Sequence, residues 1–193
     1  GNDASRPWTN GILLRGQSAF ATNNVCLVEY WIGSQTPFTA NIPMAAIKEM
    51  IRINEAPTHA QRTDNSITFH YTDGRWIRSQ LYSTDWPDLS KVLDRQSNPS
   101  DMDSRLFEGL EVIKPFADKL GRAFFHGEAV KTHIDEGEGA SFEMVGFPFE
   151  GVYQIEMLKL LKDVAQKIDF SAYPNPCLFY GDRLRGAIVG MRL

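Results

Sequence analysis

Two stretches decide the fold: "GILLRGQSAFAT" at residues 11–22 and "AFFHGEAVKT" at residues 123–132. Each sets a short apolar run, then a Gly-polar turn (Gly16-Gln17, Gly127-Glu128), then a second run closing on Thr, which is hairpin patterning. They lie about 110 residues apart, longer than any solenoid unit, so the repeat points to duplicated domains.

Two further matches keep the same order. "IPMAAIKEMIRIN" (42–54) pairs with "VYQIEMLKLLKDVAQKI" (152–168). The first repeats Met44, Ile47, Met50 and Ile51 at helical spacing after Pro43, and the second repeats Leu158, Leu161, Val164, Ala165 and Ile168, so each reads as one amphipathic helix. "ITFHYTDGRWIRSQL" (67–81) pairs with "CLFYGDRLRGAIVGM" (177–191). A two-residue Asp73-Gly74 turn predicts a hairpin with Tyr71 opposite Trp76, and the second member turns at Gly181-Asp182.

Each half therefore reads strand, strand, further strand, helix, closing hairpin: an α+β chain of two tandem modules, 1–95 and 96–193. Residues 83–104, rich in Ser, Asp, Asn and Pro, have linker composition. Beyond them Leu106, Leu110, Ile113 and Ala117 predict a further amphipathic helix, capped by Asp103 or Ser104 and ended by Pro115. It has no partner in the first half. With Gly1 rather than Met at position 1, the expectation is that the first module lacks its opening strand and helix.

Composition is that of a globular protein: 193 residues, 42% hydrophobic, 23% charged, net charge −4. No apolar run reaches membrane-span length and no secretion signal precedes the modules, so the reading is cytoplasmic, with no membrane partner. Cys26 and Cys177 sit in apolar strand-like contexts and read as reduced core thiols. The negative charge argues against a simple basic nucleic-acid binder but leaves room for cations concentrated on one surface.

Catalytic signals are absent. His59 falls in the loop "EAPTHAQRTDNS", His70 and His133 in strands and His126 at a turn, none at a metal-type spacing with Cys or a carboxylate. "DEGEG" (135–139) lacks the alternating ligands of a calcium loop, and no nucleophile elbow or phosphate cradle appears. The reading is no catalytic residue, no metal and no cofactor. Lys48 and Arg52 stand opposite the Ile47, Met50, Ile51 face, and Lys159, Lys162 and Lys167 lie on or beside the polar side of the last helix. On pattern alone these cations are the solvated faces of helices, paired with Glu49, Glu156 and Asp163.

Three segments carry a resemblance. The closing "AIVGMRL" resembles the terminal strand of the bacterial DNA polymerase sliding clamp family, the beta subunit of DNA polymerase III, which ends in Met-Pro-Met-Arg-Leu. "ATNNVCLVEY" (21–30) resembles its Ala-Thr-Asp-Gly-His-Arg-Leu strand, and "LYSTDWPDLSKVL" (81–93) its segment ending in Phe-Pro-Asp-Tyr and a basic pair. The order and spacing agree over nearly the whole chain, matching the family's second and third domains. Departures are Asn24, Val25 and Cys26 in place of Gly-His-Arg, Gly190 for the signature proline and Leu89 for Tyr.

The resemblance implies tandem clamp domains with antiparallel sheets outside and helices on one face, lining a hole for duplex DNA. Lys48, Arg52, Lys159, Lys162 and Lys167 then become a sparse lining that meets phosphate without reading bases. It implies a non-enzymatic processivity factor, a homo-oligomeric ring at full length. It also implies a cleft taking linear motifs of polymerases, the clamp loader and repair proteins. Carried over by motif, that cleft is built from Thr22, Asn24, Val25 and Leu27, from Pro87, Lys91 and Val92, and from Ile188, Val189, Gly190, Met191 and Arg192. Val189 and Met191 could otherwise simply finish the domain core; the likeness favours the cleft, with Gly190 loosening its strand. The alternative function is a clamp-like peptide-binding adaptor that does not encircle DNA.

Overall fold

The computed structural model describes residues 4–135 and 139–192. It divides into two compact units, Gly1–Asn24 with Glu29–Asp88 and Val25–Val28 with Leu89–Leu193.

The first unit contains β1 (Gly11–Arg15), β2 (Ser18–Thr22), β3 (Cys26–Trp31), β4 (Ala40–Pro43), α1 (Met44–Ile53), β5 (His59–Arg62), β6 (Ser66–His70) and β7 (Trp76–Gln80). Strand order is β4-β1-β2-β3 in one sheet and β5-β6-β7 in the other. The strand β3 changes unit along its length, since its residues up to Val28 cluster with the second. Ala40, Ile42, Ala46, Ile67, Phe69 and Tyr71 form the first core.

The second unit adds α2 (Ser90–Leu93), β8 (Ser100–Asp101), α3 (Arg105–Ile113), β9 (Arg122–Phe125), β10 (Ala129–Lys131), β11 (Ser141–Glu143), β12 (Gly151–Gln154), α4 (Ile155–Lys159), β13 (Lys167–Asp169), β14 (Cys177–Gly181) and β15 (Leu184–Ile188). Strand order is β12-β9-β10-β11 in one sheet, while β15-β14-β13-β8 run consecutively in another. Its larger core joins Leu106, Leu110 and Ile113 of α3 to Phe125, Val130, Tyr153, Leu158, Phe170 and Phe179.

The duplication is thus structural: four strands, one helix and three strands, in the same order twice. Registers agree as well. Leu13 pairs with Phe20, and Phe124 with Lys131, displaced by 111 positions on both strands (13 to 124, 20 to 131). Both hairpins turn on a glycine at positive φ, Gly16 at 62° and Gly127 at 60°, a conformation that costs glycine little. Helix α3 buries Leu106, Leu110 and Ile113, and the Asp103 carboxylate accepts the Arg105 N–H at 2.9 Å; Ser104 makes no side-chain cap bond. Pro115 falls in the 3-10 turn Lys114–Phe116 that ends the helix. In the first unit, the 3-10 turn Pro7–Asn10 precedes β1.

Four local readings are corrected. The β6–β7 connection is three residues long, because Gly74 adopts φ 81° and the Tyr71 N–H closes on the Arg75 carbonyl. His70, not Tyr71, therefore faces Trp76, and Tyr71 is buried while Trp76 is exposed. Ile51 lies on the solvent side of α1, 71% exposed; Ala46 is buried, and Ile47, Met50 and Ile53 pack against the core. His59 belongs to strand β5 rather than a loop, and His133 lies outside any strand.

The largest correction concerns the last helix, which stops at Lys159. Its next bonds are short-range, Leu161 N–H to Leu158 O and Lys162 N–H to Lys159 O, and Asp163 turns left-handed at φ 65°. Gln166 N–H then pairs with Tyr180 O, and the chain enters β13. Lys162 therefore sits in a turn and Lys167 on a strand. The apolar spacing of Leu158, Leu161 and Ile168 satisfies one core through a helix, a turn and a strand in succession.

Candidate functional site

The closing segment is held on the second unit by main-chain bonds. Past Ile188, which is fully buried, Val189 N–H donates to Val25 O at 2.8 Å and Met191 N–H to Val152 O at 2.7 Å. Tyr173 Oη donates to Met191 O at 2.9 Å. An apolar end of chain stays ordered when its backbone is tied in this way. Gly190 is a consequence of close approach rather than looseness: a Cβ there would stand 2.9 Å from the Tyr173 ring.

Beside this segment α2 packs on β15, where one Arg185 guanidinium nitrogen donates to Leu93 O at 3.3 Å and to Asp94 Oδ1 at 2.8 Å. Of the cleft residues, Val25, Leu27, Lys91, Val92 and Ile188 to Arg192 belong to this unit. Val25, Val92 and Met191 are half-buried and Val189 is 43% exposed. These four side chains are aliphatic apart from one flexible Met, while Leu27 and Ile188 are buried in the core. Thr22, Asn24 and Pro87 belong to the first unit. There Asn24 turns left-handed at φ 71°, its N–H on Thr22 Oγ1 and its side-chain oxygen on Arg6 Nη1, both at 3.0 Å.

The cations expected to meet DNA are largely partnered. Arg52 pairs with Glu49 at 2.8 Å, and Lys167 with Asp101 across the β13–β8 rung at 3.3 Å. Lys159 does not pair with Glu156: it reaches Glu111 of α3 at 2.6 Å, while Glu156 is taken by Lys114 at 2.8 Å. The ammonium groups hold the Glu111 and Glu156 carboxyls below the usual carboxylate range, Lys159 chiefly for the first and Lys114 for the second. Lys48 and Lys162 are exposed.

The strongly perturbed groups are core groups. Burial pushes the Cys26 thiol up to about 11 and the Cys177 thiol to about 12, and raises the Tyr153 hydroxyl well above its ordinary range. Both thiols are unbridged. Among the described residues no three His, Cys, Asp or Glu side chains could hold a metal, and no helix is long and apolar enough to cross a membrane. The acidic stretch at 136–138 lies outside the described residues.

Sequence reading missed Tyr173 and Val152, which anchor the tail, because nothing local marks a residue that bonds 18 or 39 positions away. It also missed Glu111 of α3 and Lys114 of the turn after it, though their three-residue spacing was visible.

No protein-family model and no curated protein matches the chain in sequence. Solved structures match over its whole length. A DNA polymerase sliding clamp from Pseudomonas aeruginosa has a TM-score of 0.78 at 18% identity, with 61% of that chain covered. A beta sliding clamp from Caulobacter crescentus gives 0.77 at 14% identity and 60% coverage, and a DNA polymerase III beta chain from Streptococcus pneumoniae 0.77, 15% and 59%. The chain thus spans about 60% of the length of these structures, and over that span its two units have the fold of the bacterial DNA polymerase sliding clamps.

Proposed function

We propose that the chain acts in DNA replication as a sliding clamp, an accessory processivity subunit and not an enzyme. It encircles duplex DNA without sequence preference as part of a homo-oligomeric ring, and works in the cytoplasm. The observation that carries this reading is the duplicated strand order, matched along the whole chain to sliding-clamp structures. Lys48, Arg52, Lys159, Lys162 and Lys167 are its phosphate contacts. The aliphatic side chains of Val25, Val92, Val189 and Met191 on the second unit, with Lys91, Gly190 and Arg192 beside them, take short motifs of a polymerase, clamp loader or repair protein, whereas Leu27 and Ile188 are buried in the core and support that surface from beneath.

A second reading rests on a specific observation: Arg52, Lys159 and Lys167 each have a carboxylate within 4 Å. Partnered cations suit a clamp-like adaptor that binds peptides and leaves DNA alone. Binding of the full chain to labelled linear duplex across a salt series separates the two. A sliding clamp gives sequence-independent association whose log K falls linearly with log salt; five phosphate contacts would set the slope at about −4.5. Peptide binding weakened by Met191→Ala, with no duplex association at low ionic strength, would favour the adaptor.

A further inference from the structure

The second unit carries a charge ladder that neither reading requires. Glu108, Glu111 and Lys114 recur every third position along α3 and the turn that follows it, and Glu156, Lys159 and Lys162 do the same along α4 and its turn. The two series meet antiparallel. Lys114 pairs with Glu156, Glu111 with Lys159, and at the next step Glu108 and Lys162 line one groove of about 640 Å³ with Met102 and Phe107. Two of the three rungs are closed ion pairs, and the six residues of the two series sum to no net charge.

We infer that this ladder is an internal competitor for DNA: Glu111 and Glu156 withhold Lys159 and Lys114 from phosphate, so that the second unit grips the duplex lightly. The inference rests on the sliding-clamp reading above. Accessibility supports the direction, for the Lys159 side chain is 24% exposed and that of Glu111 60%. A phosphate approaching Lys159 meets a carboxylate first. The rung itself is weak, since exposed ion pairs hold by only about two- to fivefold in equilibrium terms. A phosphate can therefore displace it, at a cost that lowers affinity and keeps contacts exchangeable.

The test is a binding cycle on the full chain with a short linear duplex, over a salt series, each variant first shown by circular dichroism to melt like the parent. Glu111→Gln removes that cost and should tighten binding by about two- to fivefold, with the salt slope set by the number of phosphate contacts left as in the parent. Adding Lys159→Gln to Glu111→Gln should abolish the gain and make the slope shallower than the parent's by about 1. Glu143→Gln, which removes the same charge from β11 outside the ladder, should change binding less than Glu111→Gln. If the parent binds in a salt-dependent way but Glu111→Gln matches Glu143→Gln, the ladder inference is wrong and the sliding reading stands. If neither parent nor any variant associates with duplex at low ionic strength, the sliding reading fails and the inference goes with it.

Discussion

Gly186→Ala offers the sharpest test of how the tail wall is built. Gly186 is buried in β15, and a Cβ there would lie 2.3 Å from Leu27 O of β3 and 2.2 Å from Phe179 Cζ. Neither neighbour can yield cheaply: one is strand backbone, the other a ring that is 1% exposed in the core. Replacing a strand glycine with Ala ordinarily gains about 0.5–1 kcal/mol by restricting the unfolded chain. Overpacking a tight core costs about 1–3 kcal/mol and sometimes more. The clash wins, and a net loss of about 2 kcal/mol should lower the melting temperature by about 4–8 °C for a chain of this size. All four tryptophans, Trp8, Trp31, Trp76 and Trp86, lie in the first unit, so far-UV circular dichroism should be recorded beside tryptophan fluorescence, the latter reporting the first unit. Pushing β3 away from β15 would also strain the Val189–Val25 bond, so binding of an apolar peptide should weaken. An unchanged or raised melting temperature would refute the close approach of β3 to β15.

The buried thiols predict an alkaline loss of stability. With Cys26 raised to about 11 from an ordinary 9.0, the folded state retains its proton longer than the unfolded one. That contribution is complete below pH 9 and disappears as pH rises toward 11; the urea midpoint should fall across this window, and less steeply in Cys26→Ala. A midpoint flat to pH 11 would contradict the burial. Tyr173→Phe removes the hydroxyl that holds Met191 O and should cost about 1 kcal/mol, with faster amide exchange at 189–191; unchanged protection there would show that the main-chain bonds suffice.

Sequence and structure divide the information unevenly. The hairpins at Gly16 and Gly127 were legible because a turn glycine between apolar runs is a local signal, and the repeat spacing carried over to registers displaced by the same number on both strands. The Asp73-Gly74 turn was read one residue too short, since the choice between two- and three-residue loops depends on which face of β6 the core accepts: burying Tyr71 puts His70 opposite Trp76. Periodicity failed at residues 155–168 for a similar reason. Leu158, Leu161 and Ile168 all reach one core, and helical spacing is only one way to bring them there.

Contacts across long separations were out of reach. Tyr173 with Met191, Val152 with Met191 and Glu111 with Lys159 join elements that meet only once the sheets are formed. By itself the sequence determined a duplicated α+β module, the hairpin turns at Gly16 and Gly127 and the residue types available at its end, because those follow from apolar period and backbone preference. Tertiary structure alone decided which carboxylate holds each lysine and what ties the tail, because hydrogen bonds and ion pairs reach only a few ångströms and packing, not spacing along the chain, sets who is that close.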